Sequence, residues 1–469
     1  LPNSDALTGL AAGALLMLAI GSLPIAIRWG KVGPLGLRAL DVWPLATAVF
    51  FGATTLVSVL AGSPSLRSAQ AAIGSRYLAS GLVWLSGFVA VAAVIAILSR
   101  RERRMPVVPL LETCVARVTA GSAVALAIGV WSVRVIVAVR YGIHYSGSAT
   151  ADRIEDLPYG MSILQSLTNT VGLFVPVWAY IVLRSRRGPR LRALCALLLC
   201  GELVSAFMSG RRELVFLLFL LLFIELSRSH RKRIRAAILV AMGIALIWVA
   251  FPRFEAARYA ASATVDPGQQ DLIEFLSGTA RPSLDSPSSL RESLADRSAT
   301  YVVWAAEVVQ AQRTHSFLNG SVLVKGILFT VPSALIPEKR GWRSGDTYIN
   351  EEMGIDRGDS PDSIAMTGLA DFGPAGVLVY SLAFGGLIIL GERIATLWRN
   401  RSAFLACVVM LATVRGAALV ERTIVGLAVD VRNILILAVV TWLLGFVLEK
   451  PRGDRSRVRR RGSQFMIPV

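Results

Sequence analysis

Apolar residues run through this chain in long stretches, separated by short polar turns rich in arginine. Several stretches reach the ~20 residues that a helix needs to cross a bilayer. Eleven spans are predicted, at about 6–27, 40–61, 79–98, 114–139, 161–183, 191–208, 213–227, 236–252, 364–391, 402–420 and 431–448. The seventh is short, and the last two flank a charged turn. The first run is long enough to span, and no small-residue cleavage signal follows it. Heptads, solenoid periods and low-complexity tracts are missing from the pattern. The fold class this predicts is an all-α polytopic membrane protein with about eleven transmembrane helices.

Composition narrows the picture. Of 469 residues, 54% are hydrophobic and 17% charged, against roughly 25% charged in soluble domains. This excludes a soluble globular protein and a disordered one. The net charge of +18 would suit nucleic acid, but its distribution favours a simpler cause. Taken through eleven alternating spans, 27 of the 49 basic residues fall in turns on one side or in the tail on that side. That is the positive-inside bias of membrane proteins. It predicts a cytoplasmic C-terminus, an outer N-terminus, and a basic tail attracted to anionic lipid rather than to nucleic acid. Cys114, Cys195, Cys200 and Cys407 lie in apolar runs with no C-x-x-C pair, so neither a disulfide framework nor a zinc site is expected.

One segment breaks the pattern. Residues 253–363 carry 11 basic and 15 acidic side chains, whereas the rest of the chain carries 38 and 16. The chain therefore divides into an N-terminal bundle (1–252), an extracytoplasmic loop region (253–363), C-terminal transmembrane helices (364–448) and a basic cytoplasmic tail (449–469). A loop of this length is expected to be structured or functional. Within it, Leu290, Leu294, Tyr301, Trp304 and Val308 recur near helical spacing. They predict either an amphipathic helix on the membrane surface or bundle, or an ordinary packing helix. The apolar run 321–336, interrupted by Pro332 and closed by Pro337, suits a re-entrant or interfacial segment.

Familiar catalytic motifs are missing. His144, His230 and His315 are far apart. The sequence has no D-x-D, no Walker-type loop and no G-x-S-x-G elbow. Metal, nucleotide and acyl-transfer chemistry thus have no motif behind them, and no cofactor is expected. What stands out is arginine on the side where topology alone would leave little. Arg211 and Arg212 sit in a tight turn. Arg253, Arg297, Lys339, Arg340, Arg343, Arg415, Arg422 and Arg432 follow around the loop and the final hairpin, with Arg140 and Arg258 as interface-snorkelling alternatives. Charges at the bilayer edge are costly unless paired or solvated. Guanidinium forks match phosphate oxygens, so a lipid diphosphate headgroup is the natural ligand. Arg415 with Glu421, and Asp430 with Arg432, are equally readable as local pairs.

Three stretches resemble bacterial O-antigen and related repeat-unit polymerases. The first is Met208-Ser209-Gly210-Arg211-Arg212-Glu213 with the Leu/Phe run and basic loop after it. The second is Phe317-Leu318-Asn319-Gly320 leading into Val331-Pro332-Ser333-Ala334-Leu335-Ile336-Pro337-Glu338-Lys339. The third is Phe372-Gly373-Pro374-Ala375-Gly376. The resemblance covers roughly 200–390. It departs from the family pattern at Ser333, where an arginine is usual, at Asp371, where an asparagine is usual, and at Thr367, which stands for an acidic residue.

The resemblance implies a polytopic, GT-C-like glycosyltransferase. It would join glycan units held on polyprenyl diphosphate at the outer face of the cytoplasmic membrane. Donor and acceptor would both be lipid-linked, and a chain-length regulator is a possible partner. The base that takes the acceptor proton is open among Glu338, Asp346, Asp371 and His315. Competing expectations are a ligase-like transferase, a flippase or transporter of lipid-linked sugars, and an envelope scaffold.

Overall fold

The structure is a computed structural model. It describes residues 4–32, 36–99, 105–141, 158–185, 188–209, 211–228, 287–331, 335, 336, 338, 342, 345–356, 363–420 and 423–444. Among these residues the regular structure is helical, with no strand. The helices are α1 (Ser4–Val32), α2 (Ala39–Ala48), α3 (Thr54–Ala61), α4 (Pro64–Ile73), α5 (Ser75–Leu98), α6 (Val107–Val115), α7 (Ala120–Tyr141), α8 (Tyr159–Gly172), α9 (Phe174–Arg184), α10 (Pro189–Ser209) and α11 (Arg211–Arg228). After the segment 229–286 come α12 (Pro287–Ala311), α13 (Ser321–Leu328), α14 (Gly345–Met353), α15 (Ile364–Trp398), α16 (Ala403–Ala418) and α17 (Ile424–Leu444).

Among the described residues, seven helices or joined pairs are long and apolar enough to cross a membrane. They are α1, α2 joined to α3, α5, α7, α8 joined to α9, α15 and α17. α2 reaches α3 through one π-helical turn, Val49–Ala53. Ten of the eleven predicted spans coincide with helices, and the eighth, 236–252, lies outside the described residues. The predicted 114–139 span begins later, at Ala120. The residues before it form the separate α6, whose Val107, Leu110, Leu111 and Cys114 are fully buried against α16 and α9. The predicted 402–420 span is a helix of only 16 residues.

Local sequence sets the helix ends. Ser63 caps α4 by accepting the Leu66 N–H at 3.2 Å, with Pro64 at the first helical position. Ser402 caps α16 in the same way through Leu405. α3 stops at Gly62, whose φ of 68° lies in the left-handed region.

Short connections place helix ends at two ends of the bundle. At one end Val107 N–H donates to the Leu37 carbonyl at 3.0 Å and Arg38 Nη1 to the Ser99 carbonyl at 3.1 Å. An Arg117 guanidinium reaches the Arg399 carbonyl there too. This basic end pairs several of its charges. Arg28 Nε lies 3.2 Å from Asp41 Oδ2, and the fully buried Arg38 shares that carboxylate. Arg184 Nη2 lies 2.8 Å from Glu225 Oε1, with Tyr180 donating to the other oxygen at 2.7 Å. The opposite, distal end carries α4, the turn between α16 and α17, and α12 to α14.

The loop region packs into this distal end. The pattern at 289–312 does form a helix, α12, and the packing reading is the one that holds. Residues Tyr301 to Ala306 are buried without a break, so among the described side chains of this helix no surface-lying apolar face remains. A Cβ at Gly81 on α5 would stand 2.8 Å from the Ala306 nitrogen, so these two helices touch backbone to backbone. The apolar run 321–336 contributes only α13, eight residues and about 12 Å long, too short to cross.

Candidate functional site

The distal end holds two polar assemblies, and α13 and α17 connect them. The first surrounds α8. Arg432, half-buried on α17, donates from Nη2 to Ser166 Oγ on α8 at 2.9 Å and lies 3.4 Å from Asn433 Oδ1. Asn433, fully buried, returns two bonds to α8, to the Ser166 carbonyl and to Thr170 Oγ1, both at 3.0 Å. Arg432 Nε has no hydrogen-bond partner among the described residues. Arg432 lies about 12 Å along α17 from its distal end. Nη2 of the guanidinium is thus held by protein in an apolar helix, and its Nε is buried.

On another side of α8, Arg134 of α7 meets Glu202 of α10 at 3.2 Å. Trp131 Nε1 donates to the same carboxylate at 2.7 Å, and Arg134 also reaches Ser205. Two glycines make room. A Cβ at Gly201 would fall 2.5 Å from the Trp131 ring, and one at Gly172 would fall 2.7 Å from Arg134 Nη2. Glu202 lies about 20 Å from the basic end of its helix and Arg134 about 21 Å, the distal half of a ~30 Å apolar layer.

The second assembly is built on the break in α15. Gly373 takes φ 58° and ψ −135°, followed by Pro374, so the helix folds sharply there. The two arms approach so closely that a Cβ on Gly376 would sit 1.7 Å from the Gly368 carbonyl oxygen. The turn before α13 interlocks with this break. Leu318 N–H donates to the Ala370 carbonyl at 3.2 Å and Asn319 N–H to the Asp371 carbonyl at 2.9 Å. The Phe372 ring faces Gly320, and the Phe317 ring faces Gly373. Two of the stretches quoted above for their resemblance are therefore one mechanical unit.

Asp371 is fully buried inside this unit. Its carboxylate accepts the Val322 N–H at 3.2 Å, the Leu323 N–H at 3.3 Å and the Tyr380 hydroxyl. It caps the first turn of α13 from across the chain, where Gly320 supplies no side chain to do so. These contacts give Asp371 a positioning role, because its oxygens hold a helix end in a dry setting.

The remaining candidates fall as follows. His315 is exposed, and a Cβ at Gly354, just past α14, would lie 3.6 Å from its Nε2. Asp346 is half-buried in the first turn of α14. Two residues on, Tyr348 Oη donates to Ser321 Oγ at 3.2 Å, and Lys325 Nζ stands 3.4 Å from the Tyr348 ring centroid. His315, Asp346 and Asp371 thus lie on segments that touch one another. Glu338 is exposed. Arg415 stands in the last turn of α16, which touches both α17 and α8. α13 leans on the start of α17, where a Cβ at Gly326 would press Ile424 at 2.8 Å. Arg211 and Arg212 open α11, and Arg297 lies within α12, but their side chains are not among those described. Arg253, Lys339, Arg340, Arg343 and Arg422 lie outside the described residues.

Sequence reasoning missed Arg134, Glu202 and Lys325. Arg134 and Glu202 were visible as single charges in otherwise apolar runs. Ser166 and Asn433 had no such signal. Known proteins add nothing to this geometry: no family model, curated protein or solved structure matches the chain.

Proposed function

We propose that this protein is a glycosyltransferase of the outer membrane face that joins glycan repeat units carried on polyprenyl diphosphate. The observation that carries the reading is Arg432, a half-buried guanidinium with one edge held by Ser166 and Asn433 and an Nε without a hydrogen-bond partner among the described residues. Arg415, in the last turn of α16, is a second cation on a helix that touches α17. The sequence resemblance supports the same choice, and a GT-C-like architecture goes with it.

In the reaction the acceptor hydroxyl oxygen bonds to the anomeric carbon of the donor glycan. The bond from that carbon to the diphosphate oxygen breaks, and its electrons stay on the diphosphate. Arg432 and Arg415 stabilise the charge gained there, and more strongly where water is excluded. The hydroxyl proton goes to a base on the distal loop unit, with the exposed His315 and Glu338 and the half-buried Asp346 as candidates. Asp371 keeps α13 in position beside them. Orientation follows from the basic end, which faces the cytoplasm with the C-terminal tail and puts the arginine site in the outer half of the bilayer.

The test is a glycan-length gel from cells carrying Arg432→Ala and Arg432→Lys, with membrane insertion checked by immunoblot. Loss of the ladder to single units in Arg432→Ala, with partial recovery in Arg432→Lys, is the expected result. An unchanged ladder in Arg432→Ala removes the site, and single units trapped on the cytoplasmic side point to a transporter instead.

A further inference from the structure

A cavity of about 370 Å³ lies between α4 and α12 at the distal end, away from Arg432 and from the break in α15. On one wall α4 presents Ser65, Ser68, Ala69, Ala72 and Ile73, which repeat at the spacing of a single helical face. The other wall is Glu307 of α12. The walls are well fixed. α4 is capped by Ser63, and its Leu66 is buried. On either side of Glu307, Ala306 and Val308 are fully buried. Just past the Ile73 end, the Arg313 guanidinium lies 4.8 Å from the centroid of the Tyr77 ring.

The lining selects a class of ligand. A carboxylate accepts hydrogen bonds strongly, and serine hydroxyls both donate and accept. Small alkyl groups between them offer a flat apolar strip. A pyranose matches this arrangement, with hydroxyls around its rim and C–H bonds on its faces. An anion would meet Glu307 unfavourably. A lipid tail offers neither donors nor acceptors to such a polar lining. The volume is at the lower end of the range for small-ligand sites, roughly 300–1,000 Å³, which suits one or two sugar rings.

We infer that the α4–α12 groove is a saccharide-binding subsite in which Glu307 accepts hydrogen bonds from sugar hydroxyls and Ala69, Ala72 and Ile73 support the ring face. This deepens the proposed function and rests on it for biological meaning, because the groove would hold sugars of the growing glycan or its acceptor remote from the bond being formed. Sugar binding itself is measurable independently of transfer.

Saturation-transfer NMR on the full chain in lipid nanodiscs tests it. The probes are methyl glucoside, galactoside, mannoside and rhamnoside, N-acetylglucosamine, and their commercially available disaccharides. Transfer to the ring C–H protons of at least one probe is expected. It should fall at least tenfold in Glu307→Gln and in Ser68→Trp, which fills the groove, and persist in Arg432→Ala. Ser68 is exposed, so its variant tests occupancy without touching the core. Absence of transfer from every probe, or equal transfer in both groove variants, overturns the subsite. If Arg432→Ala still builds long glycan while Ser68→Trp loses sugar binding, the arginine site fails and the groove stands.

Discussion

Glu202 and Arg134 show what a buried charge requires in an apolar bundle. Glu202 is 3% exposed and binds Arg134, while Trp131 donates to it as well. Removing one partner leaves the other charged and dry, which costs about 3–5 kcal/mol. Glu202→Ala should therefore lower the unfolding midpoint of the purified protein in detergent, read by tryptophan fluorescence against denaturant. A paired Arg134→Met/Glu202→Leu chain should recover most of the loss, because the pair as a whole contributes little over a packed apolar substitute. If the double variant is as unstable as the single one, the pair does more than neutralise itself. Arg432 differs in kind, since the partners Ser166 and Asn433 of its Nη2 are neutral. That contrast is why the proposed function rests on Arg432 and not on Arg134, and it was hidden in the sequence, where both are single arginines in apolar runs.

Among the elements, α13 depends most on distant residues. Eight residues form a weak helix on their own. Its first N–H groups are taken up by Asp371, some fifty residues on, and its entry turn is locked between Phe372 and Phe317. Asp371→Ala should free the Val322 and Leu323 amides, seen as faster hydrogen exchange in that peptide alone. Asp371→Asn keeps an acceptor and should protect them partly. A base would behave otherwise, with Asp371→Asn abolishing glycan joining while α13 stays fully protected. Gly376→Ala attacks the same unit, because its Cβ would sit 1.7 Å from the Gly368 carbonyl oxygen. It should open the break in α15 and lower stability by several kcal/mol, in the range of an overpacked core. The short apolar run and the Phe-Gly-Pro-Ala-Gly stretch were both legible in the sequence. Their interlock was not, since hydrogen bonds between segments fifty residues apart leave no periodic trace.

For the whole molecule, hydropathy located the long apolar helices, because an unbroken apolar run of this length can satisfy its backbone in lipid only as a helix. It misjudged joints, where Pro or Gly divides an apolar run, and it began one span inside α6, reading past Arg117 and Thr119. The arginine site was legible only in part. Charge asymmetry pointed to the distal end of the bundle and included Arg415 and Arg432, but tertiary contacts, which the sequence does not show, set the partners of each arginine. Orientation supports both functional readings, so it bears the last prediction. The basic turns lie at the end opposite α4, and lysine and arginine near helix ends hold a segment on the cytoplasmic side. Ser65 on α4 and Asn400 between α15 and α16 mark the two ends. In intact right-side-out spheroplasts, a membrane-impermeant maleimide should label Ser65→Cys at once and Asn400→Cys only after permeabilisation. The native Cys114, Cys195 and Cys407 are buried and should stay silent, with exposed Cys200 replaced by Ser. The reverse labelling order would put Arg432 and the α4–α12 groove on the cytoplasmic side, where neither an outer-leaflet diphosphate nor an exported glycan could reach them.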